Sequence, residues 1–298
     1  MRDFVIVTDS CIDLPASLVA ELGLVVLPLK VTVEGKEYQN FPDEREIKTK
    51  AFYDLLRAHK PTSTAQATPH DFVETWTPIL QEGKDILSIS FSSALSGTYN
   101  SSLIAANELK ELFPDSRIEC VDSLCASMGY GLLAFYAGKM KLEEAEMDDV
   151  LDFVEAMKLR VSHLFTVSDL GHLRRGGRLS AGKELIGTIL NVKPLLHVSE
   201  AGKLVVYDKA RGRIKSLHSI VNRMVETYDK NYDQWVFISH GDNEEDAQFV
   251  KSLILEKLPV KENQIIINPI GPVIGSHSGV DTMALFYLGY DRVPEETE

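Results

Sequence analysis

The sequence predicts an α/β fold of two domains, and three observations carry that expectation. Apolar runs of strand length alternate with stretches whose apolar residues recur at helical spacing. Several of these runs end in small polar residues just where a helix is due to begin. The chain has 298 residues, long for one core and suited to two compact units. The first unit is expected over 1–160, as a Rossmann-like, mostly parallel sheet with helices on both faces. The second is expected over 161–298, as a mixed sheet with its own helices, the segment near 270–290 returning to the cleft between the two.

The elements follow in order. "FVIV" (4–7) reads as a buried strand. In "DLPASLVAELG", Asp13 is placed to cap a helix, Pro15 to start it and Gly23 to stop it. "LKVTVEGKEYQN" alternates around Glu34-Gly35 as a hairpin does. "KTKAFYDLLRAHK" is helical. In the next helix, about 69–82, Phe72, Trp76, Ile79 and Leu80 fall on one stripe, with Thr68 before Pro69 as its cap. "PTSTAQATP" (61–69) joins these two helices as a loop. "DILSISF" is a strand, 98–113 a helix and "RIECV" a strand. Met128, Leu132, Leu133, Tyr136 and Met140 stripe another helix, and a helix near 146–160 ends the first half. This rhythm argues for parallel strands covered by helices.

The second half opens with the strand "HLFTV" and a glycine-broken helical stretch, "SDLGHLRRGGRLSAGKELIGTIL". "KPLLHVSEAGKLVVYDK" is a hairpin turning at Ala201-Gly202. A helix (212–228), the strand "WVFISH", a helix (243–257), the strand "QIIINPI" and a last helix after "GSHSGVDT" complete the reading.

Composition narrows the function. Acids number 44 against 31 bases, a net charge of −13, which repels phosphate backbones and anionic membranes and argues against nucleic acid. No stretch approaches the ~20 apolar residues of a membrane span. The three cysteines, Cys11, Cys120 and Cys125, have no zinc-like or CxxC spacing, and the N-terminus carries no apolar leader. A reduced, cytoplasmic setting is expected.

Hydroxyls gather at three places, and arginines at two more. "FSSALSGTYNSS" (91–102) follows a strand and enters a helix. Ser96, Gly97 and Thr98 offer two hydroxyls and exposed amides around a glycine that permits close approach, which suits a carboxylate or phosphate. A plain helix cap is the competing account, and it is preferred for Asp9-Ser10, Asp122-Ser123 and Ser168-Asp169. "PTSTAQATP" holds Thr62, Ser63 and Thr64 beyond the needs of capping. In "GPVIGSHSGVDT" (271–282), Ser276 and His277 lie among glycines, as if an imidazole were presented to a ligand. "LRRGGRLS" (173–180) offers Arg178 as a fork for an anion, and "KARGRIKS" (209–216) puts Arg211 and Arg213 on a basic island fit for docking.

The chemistry excluded is equally informative. Ser96 and His277 could act as nucleophile and base, but Ala94 stands where a G-x-S-x-G elbow needs its first glycine. There is no Walker loop, no G-x-G-x-x-G after the first strand and no metal-binding array. No cofactor is expected. Hydroxyls, amides, one imidazole and a few guanidinium groups bind an anionic head better than they perform a reaction.

Together, "VIVTDSCIDLP", "TAQATP", "FSSALSGTYNSS", "LRRGGRLS", "KARGR" and "GSHSGVDT" resemble, in order and over nearly the whole chain, the motifs of the DegV family of bacterial fatty-acid-binding proteins. The resemblance implies one long-chain fatty acid, such as palmitate or oleate, in a tunnel between two domains. It implies a head group held by Thr64 and Ser96 with His277 close by, Thr62 being a rival for Thr64. It further implies a non-enzymatic carrier that presents its acid to a separate fatty acid kinase, with Arg178 and Arg211 serving head-group or kinase contact. Ala65 and Ala67 depart from the family's usual Ser and Pro. The alternatives are a serine esterase built on Ser96 and His277, and a phosphate-binding module like the dihydroxyacetone-kinase subunits. Apolar helices such as "SMGYGLLAFYAGKM" and "ELIGTIL" could line a tunnel or simply fill a core.

Overall fold

The computed structural model of the protein describes residues 3–168, 170–179, 191–290 and 292; Asp169 and the stretch "ELIGTIL" (184–190), named above as a cap and a tunnel wall, lie outside them. The chain begins with β1 (Phe4–Asp9) and a single tight turn, Ser10–Ile12, capped by the Asp9 carboxylate, which accepts the Cys11 N–H at 2.9 Å. Next come α1 (Ala16–Glu21), β2 (Val25–Leu27), β3 (Leu29–Val33) and β4 (Lys36–Asn40). The β3–β4 turn puts Glu34 and Gly35 at φ 50° and 80°, the positive pair that matches strand twist in a two-residue hairpin. Then follow α2 (Thr49–Arg57), β5 (Thr62–Ala65), α3 (Pro69–Gln81), β6 (Asp85–Ser90), α4 (Thr98–Leu112), β7 (Ile118–Asp122), α5 (Ser127–Leu142) and α6 (Met147–Met157).

Strands β2, β1, β6 and β7 form a parallel four-stranded sheet in that order. The expected helix stripe is realised on α3, where Phe72, Trp76 and Leu80 are buried and Thr68 closes a capping box with Asp71. Two expectations are corrected. Asp13 does not cap α1; it sits at φ 50° and its carboxylate accepts from Ser127 Oγ at 2.6 Å and from the Gly271 N–H at 2.9 Å. The stretch 61–69 is not all loop, because Thr62–Ala65 pairs antiparallel with β3 to complete a small sheet, β4-β3-β5. Short polar runs carry little strand signal, but β3 has an open edge, and pairing satisfies the backbone of both.

The second half comprises β8 (Val161–Thr166), α7 (Gly171–Arg175), β9 (Val192–Val198), β10 (Leu204–Arg211), α8 (Arg213–Thr227), β11 (Val236–His240), α9 (Glu244–Lys257), β12 (Ile265–Pro269), α10 (Pro272–Ser278) and β13 (Met283–Leu288). These strands make a mixed sheet, β10-β9-β8-β13-β11-β12, in which β11 and β12 run parallel and the other neighbours antiparallel. The last helix expected after "GSHSGVDT" is not there. "GSHS" itself ends α10, so His277 rides on a helix rather than in a loop, and "MALFYL" is the buried strand β13 between β8 and β11. A short apolar run with no alternation reads equally as helix or central strand, and the open slot in the sheet decides.

Helix α5 packs against β1 on one side and β8, β11 and β13 on the other. That position explains why it is apolar nearly all round. One core cluster runs from Ile6 and Trp76 through Leu133 to Phe237 and Phe286, joining the two large sheets. A second, with Leu217, Ile238 and Ile254, lies under α8 and α9 on the far face. Gly131 permits the close packing of α5, since a Cβ there would lie 2.4 Å from the Ile12 carbonyl oxygen.

Candidate functional site: an apolar cleft with one polar end

Between the six-stranded sheet on one side and β3, β5, α10 and the segment after β6 on the other lies a cleft holding about 850 Å³ of empty space, its open mouth included. Most of its wall is apolar: Leu29, Phe91 and Leu95 from the first half, Phe165, Val198 and Phe286 from the second. Polar atoms gather where Thr64, Gln66, Ser96, Arg178, His277 and Ser278 meet.

The segment bearing Ser96 is held at several points. Asp9, buried at the end of β1, accepts the Phe91 N–H at 3.1 Å, which ties the exit of β6 to β1. Burial raises the Asp9 pKa, opposed by the hydrogen bonds from Cys11 and Phe91. Ser92 donates to the Gly202 carbonyl at 2.9 Å, which pins the segment to the β9–β10 turn. The Leu95 carbonyl accepts Arg178 Nε at 3.0 Å. Arg178 also donates to the Gly176 carbonyl, so its guanidinium is fixed at the edge of the cleft. Ser96 Oγ lies 2.9 Å from Thr98 Oγ1 and accepts the Thr98 N–H at 3.3 Å as α4 begins. The capping account is thus correct in part, and the same hydroxyl still faces the cleft. Gly97 lets Gln66 pack close: a Cβ there would lie 2.3 Å from Gln66 Oε1.

Thr64, on β5, and His277, on α10, meet with Oγ1 and Nε2 2.8 Å apart. The other ring nitrogen, Nδ1, is buried without a partner among the described residues and faces Gly176, where a Cβ would lie 2.2 Å away. The His277 pKa is lowered to about 4, first by burial and then by the charges of Arg178 and His172. The imidazole is therefore neutral at physiological pH, with one N–H to give and one lone pair to offer.

Thr64, Ser96, His277 and Arg178 line one cleft. The remaining expected residues lie elsewhere. Thr62 and Ser63 belong to the same strand but do not reach the cleft, Ser63 pairing with Thr32. Gly97 and Thr98 stand behind Ser96, and Thr98 is fully buried. Ser276 is turned into its own helix, donating to the Pro272 carbonyl at 2.9 Å. Arg211 is exposed at the end of β10. Arg213 opens α8 and is held by Asp246 through Nε at 2.7 Å. Gln66 and Ser278 were not anticipated. Gln66 follows Thr64 by two, the period of a strand face, and would have been found had 62–65 been read as a strand.

Among the described residues no group of His, Cys, Asp or Glu is placed to hold a metal, and no helix is long and apolar enough to cross a membrane. The three cysteines are unpaired.

Comparison with known proteins bears on the same features. A family model described as "Uncharacterised protein, DegV family" matches residues 3–289. A DegV domain-containing protein of Clostridium perfringens is 44% identical over 294 residues, covering 99% of this chain and 100% of the relative. Among solved structures, a DegV family protein from Thermus thermophilus, described by its fatty acid binding, superposes with a TM-score of 0.85 at 29% identity, covering 97% of this chain and 100% of that one. DegV of Bacillus subtilis, described as a fatty acid binding protein, gives a TM-score of 0.81 at 26% identity, covering 97% and 100%. With the fold, the order of motifs and a whole-length match in agreement, this chain belongs to the DegV family.

Proposed function

We propose that the protein binds one long-chain fatty acid in the cleft, its carboxylate at Thr64, Ser96 and His277 and its tail among the apolar walls. Residues 1–160 and 161–298 act as the two lobes, with 270–290 supplying α10 and β13 to the space between them. The observation that carries the reading is a mostly apolar cleft on which Thr64, Ser96, Arg178 and His277 converge. Relatives described as fatty-acid binding, 26–29% identical over nearly the full chain, support it.

The energetics agree. Around ten methylenes buried at ~0.8 kcal/mol each contribute roughly 8 kcal/mol before the costs of association. A carboxylate taken from water needs donors at once. The hydroxyls of Thr64 and Ser96 can supply them, with the Arg178 guanidinium at the edge. A neutral imidazole adds an N–H without a full charge, so the head group is held but can be released.

The carrier role is part of the same proposal. His277 Nε2 is engaged by Thr64 rather than by Ser96, which argues against an esterase pair. A carboxylate left at the mouth of the cleft suits phosphorylation by a separate kinase. Exposed Arg211 would meet that kinase, whereas Arg213 is held by Asp246 with its terminal nitrogens buried, and the three unpaired cysteines fit a reducing, cytoplasmic setting. Native mass spectrometry of protein purified without detergent tests the binding claim. A bound acyl chain, or uptake of added oleate after delipidation, is expected. Absence of both overturns the reading. A fluorophosphonate label on Ser96 would overturn the carrier role.

A further inference from the structure

The depth of the cleft can be followed row by row along the six-stranded sheet. Thr282, just before β13, stands at the polar end, where its Oγ1 donates to the carbonyls of Ser278 and Gly279 beside His277. Side chains on one face of a strand recur every second residue. Ala284 pairs with Phe165 and forms the next row; Phe286 pairs with His163 and forms the one after. All five of these residues line the cleft. On the same side of β8, Val198 of β9 and Leu204 of β10 pair with each other and also line it. The following row, Leu288 paired with Val161, is buried but is not part of the wall. The cleft therefore stops at the row of His163 and Phe286, about 13 Å of strand below Thr282 at ~3.3 Å per residue.

His163 is an unusual residue to find at the blind end of an apolar space, and its surroundings give it no chemistry to do there. Nε2 accepts the Ala126 N–H at 3.1 Å and Nδ1 donates to the Val161 carbonyl at 2.9 Å. One neutral tautomer satisfies both bonds, and burial holds the pKa well below the ordinary histidine value. Neither nitrogen is left for a ligand, so the ring meets the cleft as a rigid apolar wall. Its orientation is fixed three ways. The Phe286 ring stands at 89° to it with centroids 5.3 Å apart. Gly129 of α5 presses on it so closely that a Cβ would lie 2.2 Å from Nε2. Arg292 packs behind, donating to the same Val161 carbonyl at 3.0 Å and to the Ser199 carbonyl at 3.1 Å. A tail that passed the ring would have to bury its end against a guanidinium, which is unfavourable.

We infer that His163, braced by Phe286 and Gly129, is the floor of the cleft and sets the longest acyl chain the protein accepts. The inference rests on the fatty-acid reading above and adds a specificity-determining residue to it.

The test uses full-length, delipidated protein and an equimolar ladder of straight-chain saturated fatty acids, with the bound species identified by native mass spectrometry. The wild type should show a sharp upper limit of chain length. His163→Ala opens the floor, so occupancy by chains just past that limit should rise by roughly fourfold for each methylene newly buried. Ala284→Leu raises the floor by one row and should move the limit to shorter chains. The second variant keeps all of the His163 contacts and serves if the first does not fold. A limit unchanged in the variants that fold overturns the inference while the fatty-acid reading stands. A wild type that takes up no acid at all overturns the fatty-acid reading itself and this inference with it.

Discussion

Thr64 and His277 are 213 positions apart in sequence, yet Oγ1 and Nε2 lie 2.8 Å apart across the cleft. The contact exists because β5 adds to the edge of β3 while α10 leaves β12 in the other half of the chain and packs against both β3 and β5. Thr64→Val keeps the shape and removes the hydroxyl. The imidazole then loses its partner and the head group a donor. Affinity for oleate should fall by about 1–3 kcal/mol, roughly five- to 150-fold, with little change in the unfolding midpoint. Titration calorimetry on the delipidated protein measures it, and equal affinity in the two proteins would remove Thr64 from the site.

His277 has a pKa lowered to about 4 in the folded protein, against an ordinary value near ~6.5. Between those two values the unfolded chain binds a proton that the folded one refuses, so this group makes stability rise as pH rises through the window. Above it the effect is complete. In His277→Gln the urea midpoint should depend less on pH from about 4 to 6.5 than in the wild type. An identical pH profile in the variant would mean that the ring is not held neutral.

Asp13 works in the opposite direction. Burial raises its pKa to about 7, opposed by hydrogen bonds from Ser127 and Gly271 and reinforced by the charge of Asp9. From the ordinary carboxyl range near ~3.9 up to about 7 the folded state holds the proton more tightly, so this group makes stability fall as pH rises. The carboxyl joins the turn after β1 to α5 and to the start of α10. Asp13→Asn can keep both contacts, with its amide donating to Ser127 and its carbonyl accepting from Gly271. The variant should gain stability relative to the wild type as pH is raised from about 4 to about 7, the difference levelling off above that. A difference between the two proteins that is constant with pH would refute the assignment.

Gly97→Ala tests the packing beneath the hydroxyl pair. The new methyl would overlap Gln66 Oε1, 2.3 Å away. Gln66 is the end of a flexible side chain and can swing aside, so the fold should lose less than ~1–3 kcal/mol. The displaced amide leaves the polar end of the cleft, and binding should suffer more than stability. Parallel denaturant melts and oleate titrations compare the two losses; a variant that unfolds readily but binds normally when folded would count against a role for Gln66.

Much of the architecture was legible because local physics dictates it. The capped stripe of α3, the Glu34-Gly35 hairpin and the polar ends of β1, β6 and β7 follow from periodicity, turn chemistry and strand ends. The motif order pointed to the family, and the resemblance singled out Thr64, Ser96 and His277, with Thr62 as a rival for Thr64 and Arg178 as a fork for an anion. What could not be read locally was set by neighbours distant in sequence. "TSTA" is a strand because β3 offers an edge, and "MALFYL" is a strand because a sheet lacks its centre. Asp13 leaves the role of a helix cap because Ser127 and Gly271 arrive from other parts of the chain. The sequence by itself determined which groups would be available to hold an anionic head. Only the tertiary structure decided which of them face one another and where the cleft ends, since distance, burial and the blind floor at His163 depend on the packing of two sheets against a shared helix.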